Sequence, residues 1–126
     1  MKQVVFAQSN AAFLNQVFGT AYRAWMKSRW EYDEGTWVWM IRFNKTIQGW
    51  RNLRINDNEI WEEYEGTEPP TYRKEPERKY RIVVEIKDGV GGREYHILGK
   101  YRYERERSFV GRHVLVKESE DLLNEG

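Results

Sequence analysis

The chain has 126 residues, a formal net charge of +1, 33% charged residues and no cysteine. This length fits one domain, 1–126, with a single core, and the missing cysteines exclude a disulfide framework and a thiolate metal site. No apolar run approaches the roughly 20 residues of a membrane span and MKQVVFAQSN holds no signal-peptide core, so a soluble, cytoplasmic protein with no membrane partner is expected.

In chain order, Val4 to Ala7 reads as a short strand, and Ser9 or Asn10 as a helix N-cap. Phe13, Leu14, Val17, Phe18, Ala21, Tyr22, Trp25 and Met26 then recur at helical spacing, which predicts a helix over 10–30 lying across the inner face of a sheet. After Gly35, TWVWMIRF alternates Trp37, Trp39, Ile41 and Phe43 with Val38, Met40 and Arg42; both faces are largely apolar, as in a strand covered on both sides. Residues 44–56 read as a loop or short irregular strand. Asn56 or Asp57 would cap a second helix ending near Gly66, with Ile60, Trp61 and Tyr64 inward. Residues 67–78 hold all three prolines and form a connector.

Residues 80–105 read as a β-hairpin, because successive strand residues face opposite ways. Tyr80, Ile82, Val84 and Ile86 share one face; Arg81, Val83, Glu85 and Lys87 share the other. In the second arm Tyr95, Ile97, Gly99, Tyr101 and Tyr103 form the apolar set. The apolar faces coincide when Ile82 opposes Ile97, Val84 opposes Tyr95 and Tyr80 covers Gly99, with a loop of about four residues at 88–91. RHVLVK supplies a last strand, and 118–126 is an acidic tail. The fold class expected is α+β: one long N-terminal helix on an antiparallel sheet of about four to five strands, closing in a β-meander.

Charge is blocked along the chain. Gly35 to Asn56 contains Arg42, Lys45, Arg51 and Arg54 and no acid, whereas Asp57 to Glu68 contains six acids and no base. The basic stretch also carries Trp50. Arginine forks hold phosphate oxygens, and an indole stacks on a base. Arg42, Lys45, Trp50, Arg51 and Arg54, joined by Lys100 and Arg102 on the hairpin's polar face, are therefore the expected ligand-binding residues, with Gly49 allowing close backbone approach. The ligand class is nucleic acid or a nucleotide.

At the end of the first hairpin arm, Glu85-Ile86-Lys87 resembles the second half of the PD-(D/E)xK nuclease signature. The resemblance implies that Glu85 holds Mg²⁺ and Lys87 steadies the attacking water, with Glu77 after Pro76 as the earlier acid. By parity both Glu85 and Lys87 face water, and a module without a catalytic site, cofactor or metal is the leading expectation. His96 and His113 are the only histidines, and a metal site would need Glu94 or Glu104 beside them. The alternative function is protein binding: an inhibitor or adaptor of the small phage anti-defence type, or a homo-oligomer, formed through a strand edge and aromatic surface. The last strand, apolar on both sides, is the expected edge.

Overall fold

The computed structural model describes residues 3–68 and 80–120. They form nine strands: β1 (Gln3–Ala7), β2 (Arg29–Asp33), β3 (Thr36–Ile41), β4 (Thr46–Ile47), β5 (Trp50–Asn56), β6 (Glu59–Tyr64), β7 (Tyr80–Gly89), β8 (Gly92–Tyr103) and β9 (Arg112–Ser119). One helix, α1 (Asn10–Phe18), and a 3-10 turn at Arg105–Arg107 complete the described elements. The strands join in one sheet ordered β2-β3-β7-β8-β9-β6-β5-β4, with β1 added to β8. The β3–β7 pair is parallel and its neighbours are antiparallel, so the sheet is mixed. The expected long helix on a four- to five-stranded antiparallel sheet is thereby corrected to a mostly β fold with one short helix. Most of the proline-rich connector, Glu77 with it, and the end of the acidic tail lie outside the described residues. Among the described residues no helix is long and apolar enough to cross a membrane.

The helix starts where its cap predicts: the Ser9 hydroxyl accepts from the Ala12 N–H at 3.2 Å. It stops at Phe18, not near residue 30, because Gly19 takes a left-handed conformation (φ 72°) and donates to the Asn15 carbonyl. The Asn15 side chain then holds the departing chain. Its oxygen accepts from the Thr20 hydroxyl at 2.6 Å and the Tyr22 N–H at 2.9 Å, and its amide donates to the Tyr22 carbonyl. Tyr22 and Trp25 still pack against the helix-side core, from a non-helical segment. Their spacing mimicked a longer helix.

The second expected helix is a strand. Asn56 is a turn residue, its side chain accepting from the Asn58 N–H at 2.8 Å, and β5 and β6 pair across that turn. Along β6, Ile60 and Glu62 are buried while Trp61 and Glu63 are not, a period of two. Residues 44–56, expected as a loop or short irregular strand, form the β4–β5 hairpin. The final strand is not an edge: β9 lies between β8 and β6.

In the β7–β8 hairpin the predicted parity holds only up to a bulge. Val84 opposes Ile97 and Ile86 opposes Tyr95, two residues off the expected register, with the turn tightened to Val90-Gly91. Val83 then opposes Gly99, leaving Leu98 as an extra residue. Gly99 has φ 145°, and a Cβ there would lie 2.7 Å from the Ser119 carbonyl oxygen. Past the bulge the faces exchange. Tyr95 and Ile97 belong to one core, Leu98 and Tyr101 to the other.

The first core packs α1 on the sheet, with Phe13 stacked on Tyr95 at 4.6 Å. The second joins Trp39, Ile41, Ile60, Val83, Leu98, Tyr101 and Leu115. These residues run along one face from β3 through β7, β8 and β9 to β6. Arg81 on β7 reaches Glu62 on β6 at 3.3 Å, three strand steps away, about 14 Å in a flat sheet; the sheet is curled, and this core fills the curl. Arg81 and Val83, expected on a water-facing side, are 1% and 0% exposed because that side is the inside of the curl.

Candidate nucleic-acid interface

Curling brings the two ends of the sheet to face each other without pairing. Between them lies a cavity of about 330 Å³, within the size range of small-molecule sites. Arg29, Trp37 and Trp39 line it from the β2–β3 side, Ile47, Trp50 and Asn52 from the β4–β5 side, and Glu62 and Arg81 from the interior. The link from β3 to β4 crosses between the two edges. Its Arg42 and Lys45 line the cavity, and its Asn44, at φ 62°, donates from its N–H to the Asn52 carbonyl at 2.9 Å.

Strand register explains the convergence. Glu62 lies directly across from Asn52 on one side and from His113 on the other, and Arg81 lies beside Trp37 in the parallel pair. The Arg81 guanidinium donates to Glu62 Oε1 at 3.3 Å, and His113 Nδ1 meets the same oxygen at 2.8 Å. Arg81 also lies 4.5 Å from the Trp39 ring centroid and 5.4 Å from that of Trp37. Trp50 stacks on His113 at 5.4 Å and 23°. Arg81, Glu62 and His113 are 1%, 8% and 6% exposed. An ion pair this deep loses in desolvation much of what it gains in attraction, so it adds little to stability for its size. Charged groups held in a cleft at that cost make this cavity the candidate site. Asn52 Oδ1 is buried beside them and has no hydrogen-bond partner among the described residues.

Of the residues expected from sequence, Arg42, Lys45 and Trp50 meet at this cavity. Arg42 is also bonded through two nitrogens to Asp88, at 2.9 and 3.2 Å, which holds the Asp88 carboxyl below its ordinary range. The others stand outside the lining. Arg51 bonds to Glu65 at 3.2 Å, Arg54 pairs with Asp57 at 3.6 Å, Lys100 lies 4.5 Å over the Tyr80 ring, and Arg102 pairs with Glu104 and Glu118. Gly49 faces no open approach: its φ is 88°, and a Cβ would collide with the Tyr64 ring. Glu85 and Lys87 oppose His96 and Glu94 across the hairpin. The two histidines do not share a site, since His96 pairs with Glu94 and His113 with Glu62. Arg81, Glu62, His113, Trp37 and Trp39 were not expected as site residues. The available signal was parity: Arg81 shares its face with Val83, and His113 with Leu115.

The curled sheet frames an aromatic slot with a polar floor and does not close into a barrel, and sequence comparison gives its class. Residues 1–118 match the SRA (SET and RING associated) domain, and the chain belongs to that family. SRA domains bind DNA, so this is a nucleic-acid-binding module. Among solved structures, the 5-hydroxymethylcytosine-specific restriction enzyme AbaSI shares the fold, with a TM-score of 0.70 and 19% sequence identity. The similarity covers 94% of this chain and 39% of that one. No curated protein sequence matches the chain.

Proposed function

We propose that this module reads duplex DNA by taking one base, turned out of the stack, into the slot between the β2–β3 and β4–β5 edges, and that the base is a cytosine substituted at its 5-position. The observation that carries this reading is the Arg81–Glu62 pair buried among Trp37, Trp39 and Trp50. A cytosine edge offers an amino donor beside two acceptors. A carboxylate takes the amino hydrogens, and a guanidinium donates to the acceptors; a thymine-type edge presents a carbonyl where the amino group would be. The indoles supply stacking worth about 1–3 kcal/mol per base, against a few kcal/mol for unstacking. AbaSI is named for 5-hydroxymethylcytosine, and the buried Asn52 oxygen is an acceptor suited to a hydroxyl on the base. Arg42 and Lys45 at the rim hold phosphate oxygens, with Arg51, Arg54, Lys100 and Arg102 adding to the positive field.

The test is an anisotropy titration of two duplexes that differ only in one 5-hydroxymethylcytosine or cytosine, at two salt concentrations. The modified duplex binds more tightly, and both affinities fall with salt. Asn52→Leu removes the preference, whereas Trp50→Ala and Glu62→Gln weaken binding to both duplexes. Arg42→Ala with Lys45→Ala weakens both duplexes alike and lowers the salt slope by about 2. Equal affinity of the native protein for the two duplexes would overturn the base reading.

A further inference from the structure

We infer that His113 is the positioning residue of this slot, setting both the carboxylate that meets the base edge and the indole that stacks on the base; the inference rests on the reading above. Three contacts meet on its ring. Nδ1 lies 2.8 Å from Glu62 Oε1, and since a carboxylate only accepts, the proton of this contact is on Nδ1. The ring face stacks on Trp50 at 5.4 Å. Tyr103 meets the ring edge-on at 5.8 Å and 81°, which seats it. The Arg81 contact to the same Glu62 oxygen is longer, 3.3 Å, at the weak end of hydrogen-bond length. Of these two contacts, the histidine's is the shorter. Tyr64 also meets the Trp50 ring, 5.3 Å away and tilted at 63°, and with this edge contact the stacked histidine fixes the plane of the indole. Glu62 and His113 are register partners on adjacent strands, and the clamp is built into the β6–β9 pairing.

The two duties separate by substitution. His113→Phe keeps a ring on Trp50 and loses the N–H to Glu62. His113→Asn places an amide N–H where Nδ1 was and loses the ring. The probes are duplexes carrying one 5-hydroxymethylcytosine or one 5-hydroxymethyluracil opposite an abasic site, so that only the 4-position of the base differs. The readout is the ratio of the two affinities, with a melting curve for each variant. The native protein prefers the cytosine-type base. H113F lowers the ratio about tenfold, in line with loss of one well-placed base contact, and adds nothing to the loss in Glu62→Gln when the two are combined. H113N keeps most of the ratio and weakens binding to both probes by a common factor. If H113F shows no cooperative melt, His113→Leu replaces it under the same expectation. A native ratio in H113F, or an equal loss of ratio in H113N and H113F, would overturn the positioning role while leaving the base reading intact. A native protein indifferent to the two probes would overturn both.

Discussion

Two ends of one curled interior differ by a single two-residue step along each of three strands. At the filled end, Ile60 on β6, Val83 on β7 and Leu115 on β9 pack together. One step along the same faces, those strands carry Glu62, Arg81 and His113. The backbone and the pleat are common to both; the side chains divide the work. Each apolar residue at the filled end contributes about 1.5–3 kcal/mol by leaving water. The ion pair at the slot roughly cancels its own desolvation and gives instead a fixed donor beside a fixed acceptor. Stability and recognition thus occupy adjacent rungs of one sheet.

The sharpest way to break this division is Arg81→Met. It leaves the Glu62 carboxylate buried without its guanidinium and lowers stability by about 3–5 kcal/mol in denaturant unfolding. Adding Glu62→Gln, which removes the charge but keeps an acceptor for His113, restores most of that loss without restoring any base preference. At the filled end, Leu115→Ala opens a cavity and costs about 2–5 kcal/mol, yet the folded variant keeps its ratio between modified and plain duplexes. The smallest effect appears only in alkali. Burial pushes the Tyr101 phenol from 10.0 up to about 12. The unfolded chain then releases its proton first, so the stability tied to the neutral phenol is complete below pH 10 and is lost as the pH rises toward 12. Tyr101→Phe flattens that decline in unfolding curves measured across the window and leaves base preference unchanged at neutral pH.

How much of this was legible in the sequence follows from what is local. The strand parity of Ile82, Val84 and Ile86 was legible, because alternation is written residue by residue. So was the basic, acid-free segment that gives Arg42, Lys45 and Trp50 to the slot. The direction each face would look was not, because the curl comes from contacts among β3, β6, β7, β8 and β9 that no local window contains. For that reason Arg81 read as solvent-facing. Glu62 was hidden by its company: among Glu59, Glu63 and Glu65 it looked like one more charge on an exposed helix, and only the register with Asn52 and His113 shows it buried. The helix was overextended because Tyr22 and Trp25 occupy helical spacing while reaching the same core by another route. Gly19 was visible in the sequence, but the left-handed conformation by which it ends the helix was not.

The bulge at Leu98 and Gly99 gives β8 two reading frames. Before it, odd-numbered Tyr95 and Ile97 face the helix; after it, odd-numbered Tyr101 and Tyr103 face the slot side. Deleting Leu98 would close the bulge and merge the frames without turning Tyr101 or Tyr103: Tyr101 would stay opposite Arg81, and only the place of Leu98 in the second core would empty. The inserted residue therefore adds a leucine to the second interior while the strand keeps its pairing on both sides. Gly99, confined by its φ and by the Ser119 carbonyl, is the point at which the extra residue is absorbed.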